Sequence, residues 1–293
     1  MAKYLYDLHV HSYFSDGDWS PETVVEKAKQ AGLKGFVLTD HNTINGSEEN
    51  LAACKKMDIL SFEGIEISCA YKTIDIHMVG MARQFKRDIL SAGLKSVVAG
   101  NNERVKQMTE KINALKQFPI IDYNALLQRK GPGSALMKYD ILREIKKLQP
   151  GFIPSQLTPL LQRGGKAYVP YGDWAMFPVD AVELIHKAGG IAVLAHPGAV
   201  ERSGHDKPTT EKYIDELILD LSKKGLDGLE ARYSKYSPEQ EQKFLNTAGQ
   251  LGLLVSGGSD WHGEYHHPEI ELGSAGIMDA EFNKIMDKID QQS

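Results

Sequence analysis

Lys3-Tyr4-Leu5-Tyr6-Asp7-Leu8-His9-Val10-His11-Ser12 is the stretch whose reading decides the fold. The apolar run from Lys3 to Leu8 reads as a strand, and it ends on two histidines two residues apart. Residues at that spacing in an extended chain point to the same side, so both imidazoles can reach one ion. Ser20-Pro21 follows, an N-cap with proline at the first helical position, and opens a helix running to about Gly32. The unit is therefore a strand, a ligand-bearing loop and a helix.

Working outward, the unit recurs. Lys34 to Thr39 reads as a strand, Gly46 to Lys56 as a helix, and Ile59 to Ile67 and Ile74 to Met81 as strands. After Gly165 the rhythm resumes with helix Val179 to Ala188, a Gly189-Gly190 stop and strand Ile191 to Ala195. Helix Thr210 to Lys224, strand Gly225 to Ala231, a capping box at Ser237-Pro238-Glu239-Gln240 and strand Leu253 to Ser256 complete it. Alternation of this kind marks an α/β protein. Between residues 86 and 165 helical patterns follow one another without clear strands, which reads as a helical insertion forming a substrate-binding cap. The catalytic part is then 1–85 with 166–293.

Potential metal ligands gather near the ends of the strands. They are His9, His11, Asp16, His41, Glu66, His77, His196, Asp260 and His262, and they include six of the ten histidines. In barrels built of β/α units, loops from separate strand ends converge on one rim. Imidazoles and carboxylates delivered there suit a multinuclear hydrolytic centre of Zn, Mn or Fe. For His77, which alternates with Ile74, Ile76 and Val79, a buried hydrogen-bonded histidine is the competing reading. His186, His205, His266 and His267 read as surface residues, with His266 or His267 a lesser candidate for the site edge.

Bulk properties narrow the function. The chain has 293 residues and a net charge of -5, which argues against long nucleic acid or an anionic membrane as partner. Its two cysteines, Cys54 and Cys69, form no CxxC pair, so neither a disulfide framework nor a thiolate zinc site is signalled. No stretch approaches the roughly 20 apolar residues that span a bilayer. The N-terminus lacks the apolar core of a secretory signal, so a cytoplasmic enzyme is expected. A Walker loop and a Gly-x-Ser-x-Gly elbow are both absent.

Six motifs taken together carry a family resemblance. Asp7-Leu8-His9-Val10-His11-Ser12, Ser15-Asp16-Gly17, Thr39-Asp40-His41-Asn42, Gly64-Ile65-Glu66-Ile67-Ser68, Leu194-Ala195-His196-Pro197 and Gly258-Ser259-Asp260-Trp261-His262 resemble the polymerase and histidinol phosphatase (PHP) superfamily. The chain looks most like its nucleotide phosphoesterase branch, which includes 3′,5′-nucleoside bisphosphate phosphatases and exoribonucleases. The resemblance implies a distorted (β/α)7 TIM-like barrel with three divalent metals. His9, His11, Glu66 and Asp260 would hold one metal. Glu66 would bridge to a second on His77 and His196, and Asp16, His41 and His262 would hold a third. Where that branch often carries Arg-Pro-His, this chain has Gly131-Pro132-Gly133-Ser134-Ala135-Leu136-Met137-Lys138.

The expected function is a metal-dependent phosphoesterase that removes a phosphate from a small nucleotide. Arg104, Lys138 and Arg232 are the candidates for gripping phosphates that do not react. Competing readings are a phosphodiesterase or short-oligonucleotide exonuclease on the same site, a C–N-cleaving amidohydrolase, and a non-catalytic metal-binding regulatory module. Oligomeric state is left open.

Overall fold

The computed structural model describes residues 3–72, 74–130, 133–199, 206–265 and 268–292. In chain order the first elements are β1 Tyr6–Val10, α1 Pro21–Ala31, β2 Gly35–Leu38, α2 Ser47–Met57, β3 Glu63–Tyr71 and β4 Ile74–Ala82. Then come α3 Arg87–Leu115, α4 Tyr123–Lys130, α5 Lys138–Leu148, a 3-10 turn Pro154–Gln156, α6 Thr158–Leu161 and α7 Pro178–Lys187. The chain finishes with β5 Ile191–Ala195, α8 Lys207–Lys223, β6 Gly228–Tyr233, α9 Pro238–Leu251, β7 Leu254–Gly258 and α10 Asp279–Asp290. It divides into two compact units, residues 1–93 with 176–293 and residues 94–175, the first boundary falling inside α3.

The first unit is a seven-stranded sheet in the order β1-β2-β3-β4-β5-β6-β7. Its ring closes by short bridges. Asp260 N donates to His9 O at 2.9 Å, His11 N to Trp261 O at 3.0 Å, and Ile277 N to Tyr6 O at 2.8 Å. Local sequence explains the elements. Ser20 caps α1 by accepting from Thr23 N, Pro21 opens it, and Gly32 ends it with φ +86°. A cap of this kind is worth about 1 kcal/mol. All five residues of β1 and of β5 are buried, as expected of strands covered on both faces.

The ring departs from uniform βα winding at β4, which runs antiparallel to both β3 and β5. Tyr71 pairs with Ile74, so only two residues join β3 to β4, and a link that short permits a hairpin and no crossover. The reversal matters for the site. The opening residues of β4 reach the rim where the parallel strands end, and His77 pairs there with Ala195 at the end of β5.

Several strand boundaries differ from the sequence reading, most at β6, which runs Gly228–Tyr233 and not from Gly225, and at β1 and β3. β1 starts at Tyr6 and continues to Val10, and β3 starts at Glu63 because Leu60 makes only an isolated bridge to Gly35. α10 carried no expectation. Its Phe282, Ile285 and Ile289 lie in one buried cluster with Tyr6, Leu8, Val37 and Val193, and the Phe282 ring stacks on Tyr6 at 3.8 Å.

The second unit has its own core. Val105, Met108, Ile112, Leu126, Leu136, Ile141, Ile145, Phe152, Leu157 and Leu161 pack together, and α5 contributes its apolar stripe at the spacing of a helix face. Among the described residues no helix is long and apolar enough to cross a membrane.

Candidate metal centre

The nine side chains come together at the ends of the barrel strands, and every one is buried. His9 is the penultimate residue of β1 and His11 lies just beyond it, while His41 follows β2 and His196 follows β5. Glu66 lies inside β3, and His77 near the start of β4. The turn after His11 folds back tightly, Gly17 N donating to Ser12 O at 2.8 Å, and so returns Asp16 to the rim. A Cβ at Gly17 would meet the His11 carbonyl carbon at 2.6 Å, which is why that turn takes glycine. Two ligands have left-handed backbone, His196 at φ +27° and Asp260 at φ +56°. Strained backbone at such positions costs about 1–3 kcal/mol and persists where surrounding contacts impose it.

Glu66 is the hub. Its Oε1 lies 2.7 Å from His77 Nδ1 and 2.9 Å from His196 Nε2. Its Oε2 lies 3.2 Å from His9 Nε2, 3.3 Å from His11 Nε2 and 3.0 Å from His41 Nδ1. Asp260 Oδ1 lies 3.1 Å from His11 Nε2, and Asp16 Oδ1 lies 3.2 Å from His262 Nε2. Four groupings with ligand atoms mutually within 4.8 Å result: His11/Asp16/His41/His262, His9/His11/Glu66/Asp260, His41/Glu66/His77, and His9/His196/Glu230.

Five of these atoms, His9 Nε2, His11 Nε2, Asp16 Oδ1, His41 Nδ1 and Glu66 Oε2, are buried and make no hydrogen bond. Buried polar groups in folded proteins almost always have partners, and one left without costs about 1–3 kcal/mol. Five orphaned lone-pair donors, spread over adjoining groupings that share His11 and His41, fit divalent cations.

The ionisation pattern agrees. Burial opposes charge on Glu66, yet His41, His77 and His9 hold its carboxyl well below the usual range. Asp16 and Asp260 are likewise held well below despite burial, chiefly by His262 and by His9 respectively. Burial, with His262 next to it, pushes His11 down to about 4, which leaves a neutral ligand nitrogen. For His262 burial is outweighed by Asp16 and Asp260, and its pKa rises to about 9. A cation bound there would displace a proton, and its affinity would then rise with pH.

A supporting layer fixes the ligand loops. Asp40 accepts from Ser12 N at 2.8 Å, Ser12 Oγ at 2.7 Å and Ser15 Oγ at 2.6 Å. Asp7 accepts from Ser259 N at 2.9 Å, Ser259 Oγ at 2.6 Å and Gly273 N at 2.9 Å. Each aspartate thereby ties the loop after one strand to another. Sequence reasoning missed Glu230 and Tyr233 on β6. Glu230 contacts His9 and His196, and Tyr233 OH donates to Asp260 Oδ2 at 3.0 Å. A lone Glu in an apolar strand, Leu229-Glu230-Ala231, was the available signal.

Arg104 belongs to the helical unit, where it is buried, donates from Nε to Val169 O at 2.8 Å and stacks on Tyr171. Lys138 opens α5 in the same unit. Arg232 is paired with Glu241 at 3.5 Å and Glu281 at 2.9 Å. His186 binds Asp227 at 2.6 Å, away from the centre, and His205, His266 and His267 lie outside the described residues.

Comparison with known proteins adds to this geometry. The PHP domain model matches residues 7–150. A Chromobacterium violaceum protein named 3′,5′-nucleoside bisphosphate phosphatase is 31% identical over 263 residues, covering 87% of this chain and 86% of that protein. A Haemophilus influenzae protein named 5′-3′ exoribonuclease is 32% identical over 258 residues, covering 88% and 89%. Among solved structures, a Bifidobacterium adolescentis protein assigned as a metal-dependent phosphoesterase superposes with a TM-score of 0.83 at 27% identity, covering 98% of this chain and 96% of that one.

Proposed function

Since this chain belongs to the PHP family, we propose that it is a metal-dependent phosphoesterase that hydrolyses a small phosphate ester, a nucleotide phosphomonoester such as a 3′,5′-nucleoside bisphosphate. The observation that carries the reading is the convergence of three orphaned imidazole nitrogens, of His9, His11 and His41, on the orphaned Oε2 of Glu66.

Three divalent ions of Mn, Zn or Fe fit the donor set. His9, His11, Glu66 and Asp260 would hold the first, Glu66, His77 and His196 the second, and Asp16, His41 and His262 the third. Ions bound there would supply Lewis acidity, lowering the pKa of a water and offsetting charge at phosphorus. The protein's own contribution is a rigid, dry rim. Asp7 and Asp40 lock the loops that carry His9, His11, Asp16 and Asp260. Lys138 and Arg104 of the helical unit are the proposed contacts for non-reacting phosphates. Arg232, whose guanidinium is taken by two glutamates, is assigned to holding β6 against α9 and α10.

A second reading is favoured by one observation of its own. Residues 94–175 carry thirteen Lys and Arg against six Asp and Glu, in a chain whose total is -5. A basic unit suits the longer polyanion of a phosphodiester substrate, as the name of the Haemophilus influenzae relative also suggests.

The test compares adenosine 3′,5′-bisphosphate with 5′-phosphorylated di- and tetranucleotides on metal-loaded protein. Faster release of inorganic phosphate from the bisphosphate supports the first reading, and faster release of mononucleotides from the oligonucleotides supports the second. Absence of hydrolysis of any of them by metal-replete protein refutes both.

A further inference from the structure

We propose that Glu230 is a positioning residue of the metal centre, fixing which ring nitrogen of His9 faces the ligand cluster and pinning His196. This rests on the metal-site reading above and extends it to β6, a strand that supplies none of the nine ligands.

Glu230 is 2% exposed and sits between the ligand-bearing ends of β5 and β7. Its Oε1 is 3.0 Å from His9 Nδ1, and its Oε2 accepts from the backbone N–H of His196 at 2.6 Å. Oε1 as acceptor at this distance puts a proton on His9 Nδ1, and in the neutral ring, the form that binds a cation, it is the sole ring proton. The other ring nitrogen, Nε2, then has its lone pair available, and it lies 3.2 Å from Glu66 Oε2 and 3.5 Å from Asp260 Oδ1. That is the nitrogen a cation held by Glu66 and Asp260 would use. The second oxygen steadies a residue at φ +27°, a backbone conformation that needs an external hold. One side chain therefore sets the tautomer of one ligand and the backbone of another.

Glutamine at this position separates the role from mere packing, because it has nearly the same shape. Its amide offers one acceptor and one donor where two acceptors stood. The His196 N–H cannot reverse, so it keeps the oxygen. The amide nitrogen then faces His9 Nδ1, which can accept only if the ring proton moves to Nε2. A proton on Nε2 blocks coordination.

The experiment titrates Mn²⁺ and Zn²⁺ into metal-free wild type, Glu230→Gln and Glu63→Gln. It also records the imidazole 15N shifts of His9 and thermal unfolding of the metal-free proteins. Glu63 is a control in the same barrel, a buried carboxylate that accepts from Phe85 N at 2.6 Å and pairs with Arg87. The expectation for Glu230→Gln is metal affinity lower by roughly 10–100-fold, as for lost partners of metal-binding histidines. His9 should switch to the Nε2–H form, with metal-free stability close to wild type. Glu63→Gln should lose stability and keep its metal affinity. The proposal is overturned if Glu230→Gln binds metal as wild type does, if His9 keeps its proton on Nδ1, or if Glu63→Gln loses as much affinity. Wild type that binds no divalent cation would overturn the metal-site reading itself, an outcome visible before any variant is compared.

Discussion

Gly258 ends β7 beside β1, and replacing it with alanine tests whether the closure of the ring sets the metal geometry. A Cβ at Gly258 would meet His9 Cβ most closely of all, and would lie 2.6 Å from His9 N and 2.8 Å from His9 Cα. Carbon contacts become comfortable at about 3.5 Å, so relief requires a movement of more than about 1 Å. Nothing nearby can absorb it. All five residues of β1 are buried, and Asp260 N is hydrogen-bonded to His9 O at 2.9 Å. Overpacking of this kind costs about 1–3 kcal/mol. The functional cost is larger, because His9 and Asp260 would shift against each other within one proposed metal site. A misplacement of about 1 Å lowers turnover by roughly 100-fold. The assay is metal content followed by kcat/KM on the preferred phosphate ester, with the denaturation midpoint measured in parallel. Gly249→Ala is the matched control, since a Cβ there meets nothing within 4 Å, and it should be neutral or stabilising by about 0.5–1 kcal/mol. Full metal content and wild-type turnover in Gly258→Ala would refute the reasoning.

Other expectations follow from the same contacts. Asp260→Ala should abolish turnover while circular dichroism stays native, and retained activity would remove Asp260 from the ligand set. Asp40→Ala leaves Ser12 N, Ser12 Oγ and Ser15 Oγ without their buried acceptor. It should lower stability by about 3 kcal/mol in urea unfolding and loosen the loop carrying Asp16. A midpoint shift near zero would show that water replaces the carboxylate. Burial pushes the Cys54 thiol up to about 12 and the Cys69 thiol well above its usual value. A raised thiol pKa means less thiolate at any working pH, so iodoacetamide at pH 8 should label neither cysteine until denaturant is added. Labelling of native protein at the rate of a free thiol would contradict the burial. Metal loading should strengthen with rising pH across the His262 titration near 9, with proton release detectable in weakly buffered solution.

The centre was more legible in the sequence than the winding of the barrel was. His9 and His11, Asp260 and His262, and His41 stand beside strand ends, so motif spacing and strand reading point to the same rim. Glu66 is legible because it interrupts an apolar strand near a glycine. Glu230 interrupts one too, but no neighbouring ligand type marks it, and its partners lie 221 and 34 residues away in sequence. The reversal of β4 could have been inferred. Six residues separate the expected strands ending at Ile67 and starting at Ile74, too few for a crossover helix. The change of rhythm at residue 86 marks where α3 begins, whereas the helical unit begins inside that helix at Leu94. A continuous helix gives no compositional sign of such a division. The fates of Arg104 and Arg232 depend on distant partners, Val169 O and Glu281, that no local pattern indicates.

The bridges from β1 to Asp260, Trp261 and Ile277 join residues about 250 positions apart. During synthesis His9 and His11 emerge about 250 residues ahead of Asp260 and Trp261, the groups that seat them. Cation capture would therefore await synthesis through Ile277, and the slow search for such long-range pairings should dominate refolding kinetics. A nascent barrel that lacks β7 and the residues through Ile277 presents β1 with one flank open, the state in which holdase chaperones have most to protect.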